Sequence, residues 1–383
     1  PVESDAVLAD SAIENPEIRD SIPSAVEHEI KKTDLHSLVN ELNQKQEILN
    51  ENLFGSFESK DTIIAIEVND KIESLKITIE SLEKVKGIEK TLLIFSHSFF
   101  DTKINEIVKS IKFAKVMQIF YPHSTQLFPH SFPGDDPNDC PKDMSKEDAI
   151  RMKCNSAEYP DKNGRYRESK ITQIRHHWFW KINFIFEHLH VTRDFNGYVV
   201  FVEEDYYLLP DSLHFVDEMR KLSNNDPHCV YSLGNWKSEV NPSQAHIAVV
   251  YGGIPLYSHI ITKQFWSTFK IHSEKFCNTD DFNFDSAFVG ICQQNMRPQP
   301  YSMYPLVSRV FHIENNPTHL NTNADVSHEY RKTWSYQSSS IEPFLFPTQL
   351  EKKYNIIYKK NYVESGGFND PRDKSLCMSM CSA

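Results

Sequence analysis

Three consecutive acidic residues follow a strongly apolar stretch near the middle of the chain. Glu203, Glu204 and Asp205 lie in the segment NGYVVFVEEDYYLLPD, and the apolar residues 199–202 before them predict a buried β-strand. In an open parallel sheet, ligands bind beyond the carboxyl ends of the strands. Adjacent carboxylates repel one another unless a cation neutralises them, and oxygen ligands of this kind favour Mg²⁺ or Mn²⁺. The alternative is a solvated acidic strand end without a ligand.

A second acidic cluster and a later histidine could complete such a site. The segment NTDDFNFDSAF holds Asp280, Asp281 and Asp285 among aromatic residues, so one carboxylate could have its pKa tuned for proton abstraction. His312 follows an apolar stretch in RVFHIENN. It could be an imidazole ligand for a metal, or a core histidine whose ring is hydrogen-bonded.

The elements that must position these residues follow an α/β pattern. The apolar run in DTIIAIEV precedes the helix-period stretch IESLKITIESLEKV and then TLLIFSH, and NEIVKSIKFA followed by KVMQIFY repeats the order. The sequence therefore predicts a mostly parallel sheet flanked by helices. A length of 383 residues suits two or three domains, or one large α/β enzyme.

A long helix is predicted from Ser169 onward. Its apolar residues step by three and four along one face: Ile171, Ile174, Trp178, Ile182, Ile185 and Leu189. The polar residues fall on or near the other side: Gln173, Arg175, His176, His177 and Lys181.

Residues 122–165 are rich in proline, aspartate and asparagine, which predicts a long ordered loop. Cys140 and Cys154 lie within it and could close it as a local disulfide. The chain has seven cysteines without a CxxC pattern, which favours disulfides and an oxidising compartment. The alternative is a set of reduced core cysteines.

The composition of the chain and its missing motifs argue against several classes of function. The net charge of −12 without any basic run argues against a nucleic-acid partner, and GxGxxG, GxxxxGK, GxSxG and HExxH are all missing.

Residues 1–57 are acidic and are predicted to form a stem. No stretch approaches 18 consecutive apolar residues and the chain starts at Pro1, so we expect a signal or membrane anchor to have been removed from upstream.

The order of these features resembles that of GT-A glycosyltransferases. Beyond that order, CNSAEYPD, YRESK, HHWFWK, FVEEDYYLLPD, DDFNFD, RVFH and GGFNDPRD strongly resemble stretches of the N-acetylglucosaminyltransferase II family. The resemblance runs from about residue 62 to residue 378 and implies a GT-A catalytic domain over residues 58–383. Within it we expect a nucleotide-sugar half, 58–210, and an acceptor half, 211–383.

The resemblance also implies roles for individual residues. Asp205 and His312 would hold Mn²⁺ against the diphosphate of UDP-GlcNAc, and Asp285 would be the catalytic base. Phe282 and Phe284 would form the acceptor wall, and Cys277 would pair with Cys377. The nucleotide-sugar contacts would come from Glu67, Val68, Asn69, Asp70, Lys71, Ser98, Gln173, Ile174, Arg175, His176, His177, Glu203 and Glu204.

The implied activity is an inverting, metal-dependent transfer of GlcNAc to the 2-OH of the α1,6-arm mannose of N-glycans. The implied location is the Golgi lumen, as a type II membrane protein. Two departures affect the donor site, because EVNDK at 67–71 is more acidic than the family stretch and Ser98 replaces an aspartate. These departures leave open a catalytically silent homologue that binds glycans or nucleotide. A metal-dependent hydrolase would need further ligands that the sequence does not supply.

Overall fold

The computed structural model describes residues 32–235, 241–255, 257–313, 339–355 and 362–382. Eleven α-helices have both ends within the described residues: α1 Lys32–Lys45, α2 Glu51–Phe54, α3 Ile72–Lys84, α4 Thr102–Lys109, α5 Lys146–Met152, α6 Ser169–Asn183, α7 Ser212–Leu222, α8 Lys263–Lys270, α9 Ser273–Asn278, α10 Phe284–Gln294 and α11 Pro371–Ser382. None of these helices has the length and apolar character needed to cross a bilayer.

The same residues contain twelve strands: β1 Ile48–Leu49, β2 Ile63–Val68, β3 Leu92–His97, β4 Lys115–Phe120, β5 Tyr198–Glu203, β6 Tyr206–Leu208, β7 Cys229–Ser232, β8 Ile247–Tyr251, β9 His259–Thr262, β10 Tyr301–Pro305, β11 Val310–His312 and β12 Glu351–Asn355. Ten form one sheet in the order β1-β4-β3-β2-β5-β9-β7-β10-β8-β12, and β6 pairs with β11 in a second, two-stranded sheet. In the large sheet, β4, β3, β2 and β5 run parallel, as do the pairs β7–β10 and β8–β12. This confirms the predicted mixed, mostly parallel α/β sheet.

The parallel strands β2, β3, β4 and β5 are buried because helices cover both faces of this part of the sheet. In β2, Ile63 and Ala65 join the core that contains α6, whereas Ile64 and Ile66 join the core that contains α3 and α4. Strands buried on both faces read as continuous apolar runs, which is why the sequence revealed them clearly. The predicted βαβ unit is confirmed as β2, α3 and β3, and α4 and β4 repeat it.

Helix α6 lies where predicted, but the prediction of its exposed side was wrong. Ile174 is 44% exposed, whereas Arg175, His176, His177 and Lys181 are buried. The helix lies between the sheet and a layer that includes α9, α10 and α11, so no long side of it faces solvent. Its polar side chains are tolerated inside because each has hydrogen-bonding or charged partners.

The predicted loop at 122–165 contains one short helix, α5, and no extended strand. The Cys140–Cys154 disulfide is confirmed and joins the two sides of α5. Arg167, just after the loop, donates to the backbone carbonyls of Pro133 and Gly134 and pairs with Asp373 of α11. The loop is thus fixed to the C-terminal helix, although it has little regular structure of its own.

The prediction that residues 1–57 are a stem was wrong for the part that the structure describes. Strand β1 adds to the edge of the large sheet beside β4. Asn43 of α1 donates to the carbonyl of Phe120 and accepts from its backbone N–H, so it completes the hydrogen bonding of a strand end. The sequence concealed this contact because α1 is polar and only a few residues, such as Val39, are buried. The two expected halves of the domain remain predictions.

The Cys277–Cys377 disulfide is also confirmed, and it ties α9 to α11 across 100 residues. We expect the Cys277→Ser/Cys377→Ser variant to lose about 4–5 kcal/mol of unfolding free energy, because the link restricts a long loop in the unfolded chain. The Cys140→Ser/Cys154→Ser variant should lose about 3 kcal/mol, because its loop spans only 14 residues. Urea denaturation of the oxidised proteins measures both losses.

Cys381 supplies the control for these variants. Its thiol is not in a disulfide and is partly buried, so Cys381→Ser should change the unfolding free energy far less than either double variant. A larger loss for the short loop than for the long one would contradict the loop-length argument.

Candidate metal and catalytic site

Polar residues gather at the carboxyl edge of the parallel strands. The pairing of β2 with β5 places Glu67 beside Glu203, and the pairing of β2 with β3 places Glu67 beside Ser96. Parallel strands end at the same edge of a sheet, which is where ligands bind in open α/β folds. The predicted acidic strand end therefore faces a position suited to a ligand.

The two-stranded sheet brings Asp205 and His312 together. In the β6–β11 pairing His312 lies opposite Tyr206, and the backbone N–H of Ile313 donates to the carbonyl of Asp205 at 2.6 Å. The Oδ2 atom of Asp205 is 3.4 Å from Nε2 of His312. One ligand atom from each of Glu203, Asp205 and His312 lies within 4.8 Å of the others.

These three side chains fit a divalent metal. Asp205 is 3% exposed, and among the described residues its Oδ1 atom is buried without a hydrogen-bond partner. A buried, unpaired carboxylate oxygen is costly unless an ion or water satisfies it. Two carboxylates and an imidazole suit Mn²⁺, which accepts both oxygen and nitrogen ligands, better than Ca²⁺.

Glu204 points away from the metal cluster. Its carboxylate accepts from the backbone N–H of Asn69 at 2.7 Å and from that of Lys71 at 3.4 Å, so it binds the turn that precedes α3. Burial raises the pKa of Glu204 to about 8, although the bond from Asn69 opposes the shift. Its predicted contact with the nucleotide-sugar is replaced by a structural role, because alternate residues of an extended segment face opposite ways.

Glu203 has a strongly perturbed carboxylate. The residue is exposed at the end of β5, and it also lines a small cavity with Glu67 and Phe284. Desolvation raises its pKa to about 7, helped by the negative charges of Asp205 and Glu67, while a hydrogen bond from the hydroxyl of Tyr206 opposes the shift. Clustered carboxylates with raised pKa values are typical of functional sites.

Asp285 lies in the first turn of α10, close to this cluster. Asn283 caps the helix by accepting from the backbone N–H groups of Asp285 and Ser286. The Oδ1 atom of Asp285 is buried and has no hydrogen-bond partner among the described residues. Desolvation and then the charges of Glu203 and Glu67 hold its pKa well above the usual aspartate value. A carboxylate in this state can accept a proton from a neighbouring hydroxyl.

The other two acids of that cluster have structural roles. Asp280 accepts from the backbone N–H groups of Lys162 and Phe368, and Asp281 accepts from the hydroxyl of Tyr362 at 2.8 Å. Both carboxylates are thus occupied in joining loops. Asp285 is the member of the cluster whose carboxylate is left for chemistry.

A buried lysine balances the acidic groups, a role that was not predicted from the sequence. Lys181 of α6 forms an ion pair with Glu67, and both line a small cavity with Glu203 and Phe284. A lysine within the aromatic run HHWFWKINF of a buried helix requires an acidic partner, which was the available signal. His177 also contacts Glu67, with 3.9 Å between its Nδ1 and Oε1 of Glu67, and burial lowers its pKa to about 4.

An open cleft of about 420 Å³ lies near this edge of the sheet. Asp70 and Gln173 line it, and Gln173 accepts a hydrogen bond from the backbone N–H of Thr125 at 2.6 Å. The structure therefore brings two of the predicted nucleotide-sugar contacts to one concave surface, together with Phe99 and Asp135.

Other predicted contacts are buried outside this cleft. The guanidinium of Arg175 donates to the carbonyl of Thr279 at 2.9 Å and stacks on Phe368, while His176 lies 3.0 Å from Asp373 of α11. Both residues stabilise the C-terminal segment, which corrects their predicted role.

The remaining predicted contacts also lie away from the cleft lining. Ile174 is exposed, and Val68 and Ser98 are buried with the backbone N–H of Ser98 donating to the carbonyl of Val68. His177 is buried and bonds Ser96 at 2.8 Å.

The two predicted acceptor residues differ in their surroundings. Phe282 is 43% exposed and lines a pocket of about 190 Å³ with Asp161 and Gly366. Phe284 stacks on Trp178, with ring centroids 4.4 Å apart, and lines the small cavity beside Glu203.

Comparisons with known proteins show which family the sequence matches. The family model described as N-acetylglucosaminyltransferase II matches residues 36–377. The chain is 31% identical over 360 residues to the human "Alpha-1,6-mannosyl-glycoprotein 2-beta-N-acetylglucosaminyltransferase", covering 90% of this chain and 78% of that protein. It is 32% identical to the protein of that name from Sus scrofa over 359 residues (90% of this chain and 78% of that protein) and 27% identical to the one from Arabidopsis thaliana over 349 residues (87% and 77%).

Proposed function

The chain belongs to the N-acetylglucosaminyltransferase II family, and we propose that it transfers GlcNAc from UDP-GlcNAc to the 2-OH of the α1,6-arm mannose of N-glycans, with Mn²⁺ as its cofactor. It is a glycosyltransferase of N-glycan branching. The observation that carries the finer proposal is the convergence of Glu203, Asp205 and His312 near Asp285, whose Oδ1 atom is buried and has no hydrogen-bond partner in the described part of the chain.

In this proposal Asp205 and His312 hold the metal, and Glu203 is close enough to join them. The bound ion would neutralise negative charge on the departing UDP. The protein's contribution is to fix the ligand atoms, because the β6–β11 pairing holds Asp205 and His312 in one geometry.

Asp285 would act on the acceptor. Its carboxylate takes the proton from the mannose 2-OH while that oxygen bonds to the anomeric carbon of GlcNAc and the bond from this carbon to the UDP oxygen breaks. The electron pair of the broken bond leaves with UDP. Because attack and departure occur on opposite sides of the carbon in one step, the configuration inverts and no covalent enzyme intermediate forms. The raised pKa makes Asp285 a stronger base than an ordinary aspartate.

The donor would lie between the metal cluster and the cleft lined by Asp70 and Gln173. We propose that Asn69, Asp70 and Lys71 contribute to this site from the turn between β2 and α3, as the resemblance implied. We also propose that the protein works in the Golgi lumen as a type II membrane protein.

We predict a single addition of GlcNAc when the purified chain is incubated with UDP-GlcNAc, Mn²⁺ and mannose-terminated N-glycans. Phe282 and Phe284 offer apolar faces for a sugar ring but lack the polar tips that tyrosine would supply. We therefore expect the chain to prefer glycans that already carry GlcNAc on the α1,3 arm, by a modest factor. Mass and linkage analysis, with kcat/KM on both glycans, measures this.

The products and the rates distinguish the proposed function from its alternatives. A β1,2 product on the α1,3 arm would contradict the proposed acceptor, and equal kcat/KM values would show that the first GlcNAc is not recognised. Binding of glycan or nucleotide without any transfer would favour the silent homologue. Release of free GlcNAc without transfer would favour the hydrolase.

A further inference from the structure

Asp205 already has a cationic partner from the protein itself. The Nζ atom of Lys71 is 2.7 Å from Oδ2 of Asp205, the same oxygen that lies 3.4 Å from His312. The side chain of Asp205 is 4% exposed and that of Lys71 is 20% exposed, so the pair is largely shielded from water. A lysine ammonium therefore contacts the central carboxylate of the metal cluster.

The position of Lys71 is set by its backbone. Its N–H donates to Glu204, the neighbour of Asp205, and the next residue begins α3. Glu204 also accepts from Asn69, so the turn is held at two points. The backbone of the turn is thus fixed, whereas the flexible four-carbon stem of the lysine lets its ammonium reach more than one partner.

A divalent ion on Asp205 would change what this ammonium prefers. Two cations on one carboxylate repel each other, and the repulsion is strong where water is largely excluded. Asp70, next to Lys71 in the chain, lines the open cleft that we propose for the donor. An ammonium displaced from Asp205 would therefore be close to a position suited to the negatively charged diphosphate of a nucleotide-sugar.

We propose that Lys71 is a built-in competitor of the metal: it binds Asp205 when the donor is absent and transfers to the donor's diphosphate when metal and donor bind together. This inference rests on the proposed function. Competition for Asp205 weakens the binding of metal alone. The movement of the Lys71 ammonium to the diphosphate makes metal and nucleotide bind cooperatively. Lys71 is thus a donor-binding and positioning residue whose two partners are used in turn.

Lys71→Met separates charge from length, because methionine keeps an unbranched side chain without the ammonium. We expect this variant to bind Mn²⁺ about tenfold more tightly than the wild type when no nucleotide is present. We also expect UDP to increase the Mn²⁺ affinity of the variant by a factor about tenfold smaller than in the wild type. Titration of metal-stripped protein with Mn²⁺, with free Mn²⁺ followed by electron paramagnetic resonance, measures both quantities without any transfer reaction.

Three further variants serve as controls. Lys71→Arg keeps the charge and should bind Mn²⁺ alone as weakly as the wild type. Lys76→Met removes a partly exposed charge from α3, the helix that follows Lys71; Lys76 pairs with Glu73, and this variant should behave as the wild type. Lys71→Gln repeats the loss of charge with a polar side chain, in case methionine disturbs folding.

The outcomes distinguish this inference from the proposed function. If the charge-removing variants bind Mn²⁺ alone no more tightly than the wild type, the competition is refuted even though the enzyme transfers GlcNAc normally. If they bind Mn²⁺ more tightly but UDP enhances the binding as in the wild type, the movement of the Lys71 ammonium to the diphosphate is refuted. If the wild type binds no Mn²⁺ even with UDP, the proposed cofactor fails first, and this inference fails with it.

Discussion

Asp205→Asn will abolish Mn²⁺ binding at micromolar concentrations and will lower kcat/KM by about a thousandfold or more. The change keeps the shape of the side chain but removes the formal charge of the buried carboxylate that we propose as a metal ligand. It also leaves the ammonium of Lys71 beside a neutral amide. Calorimetric titration with Mn²⁺ in the presence of UDP measures the binding loss, and transfer to a defined glycan measures the rate.

The matched control is Asp194→Asn, an exposed aspartate shortly before β5, which should retain wild-type binding and turnover. Thermal unfolding of both variants separates loss of the site from loss of the fold. Near wild-type turnover of Asp205→Asn, or full activity of the wild type with excess chelator, would contradict the metal assignment.

Asp285→Asn will lower kcat by about 10²–10⁴-fold, the usual contribution of a general base, while the affinity for UDP and Mn²⁺ changes little. The expected selectivity follows from position, because Asp285 begins α10 while the proposed metal ligands belong to β5, β11 and the turn before β6. Single-turnover transfer and Mn²⁺-dependent UDP titration measure the two quantities separately. A loss confined to donor binding would show that Asp285 acts on the donor and not on the acceptor.

The pH dependence of the wild type offers a second measurement of the same residue. Desolvation and the neighbouring carboxylates raise the pKa of Asp285, so it gains its proton at a higher pH than an ordinary aspartate, whose pKa is about 4. A base must be deprotonated, so kcat should fall as the pH is lowered through this raised pKa. An acid limb in the ordinary aspartate range would imply that the bound metal cancels the shift, or that another group limits the rate.

The strands and the order of the site residues could be predicted because each depends on local sequence. The runs that became β2, β3 and β5 are apolar at nearly every position, since both faces of these strands are buried. The acidic residues at the end of β5 and just after it must then lie at the edge of the sheet.

The distance between Asp205 and His312 could not be predicted from local sequence. It depends on β6 pairing with β11, two strands of three residues each, which have no strong signal of their own. The same limit applies to the pair of Lys71 with Asp205. The resemblance to the family predicted that Asp205 and His312 act together, which strand propensity could not.

The polar residues of α6 show a different limit of sequence-based prediction, which concerns solvent exposure. The rule that polar residues face solvent fails when a helix is covered on every side, and partners then decide what is tolerated. Arg175 donates to the backbone carbonyl of Thr279, just after α9, and His176 pairs with Asp373 of α11. Those partners lie about 100 and 200 residues further along the chain, beyond the reach of any periodic pattern.

The two ends of the large sheet are protected from unwanted pairing in different ways. An uncovered strand edge offers a row of backbone donors and acceptors on which another chain can assemble. At one end β1 occupies the edge of β4 for two residues, so the segment read as a stem also shields the sheet from intermolecular β-association. At the other end β12 carries the charged residues Glu351, Lys352 and Lys353, and charges on an edge strand disfavour pairing with a strand of another chain. A shortened form of the protein that begins after β1 would therefore lose solubility through its β4 edge, even with its catalytic residues intact.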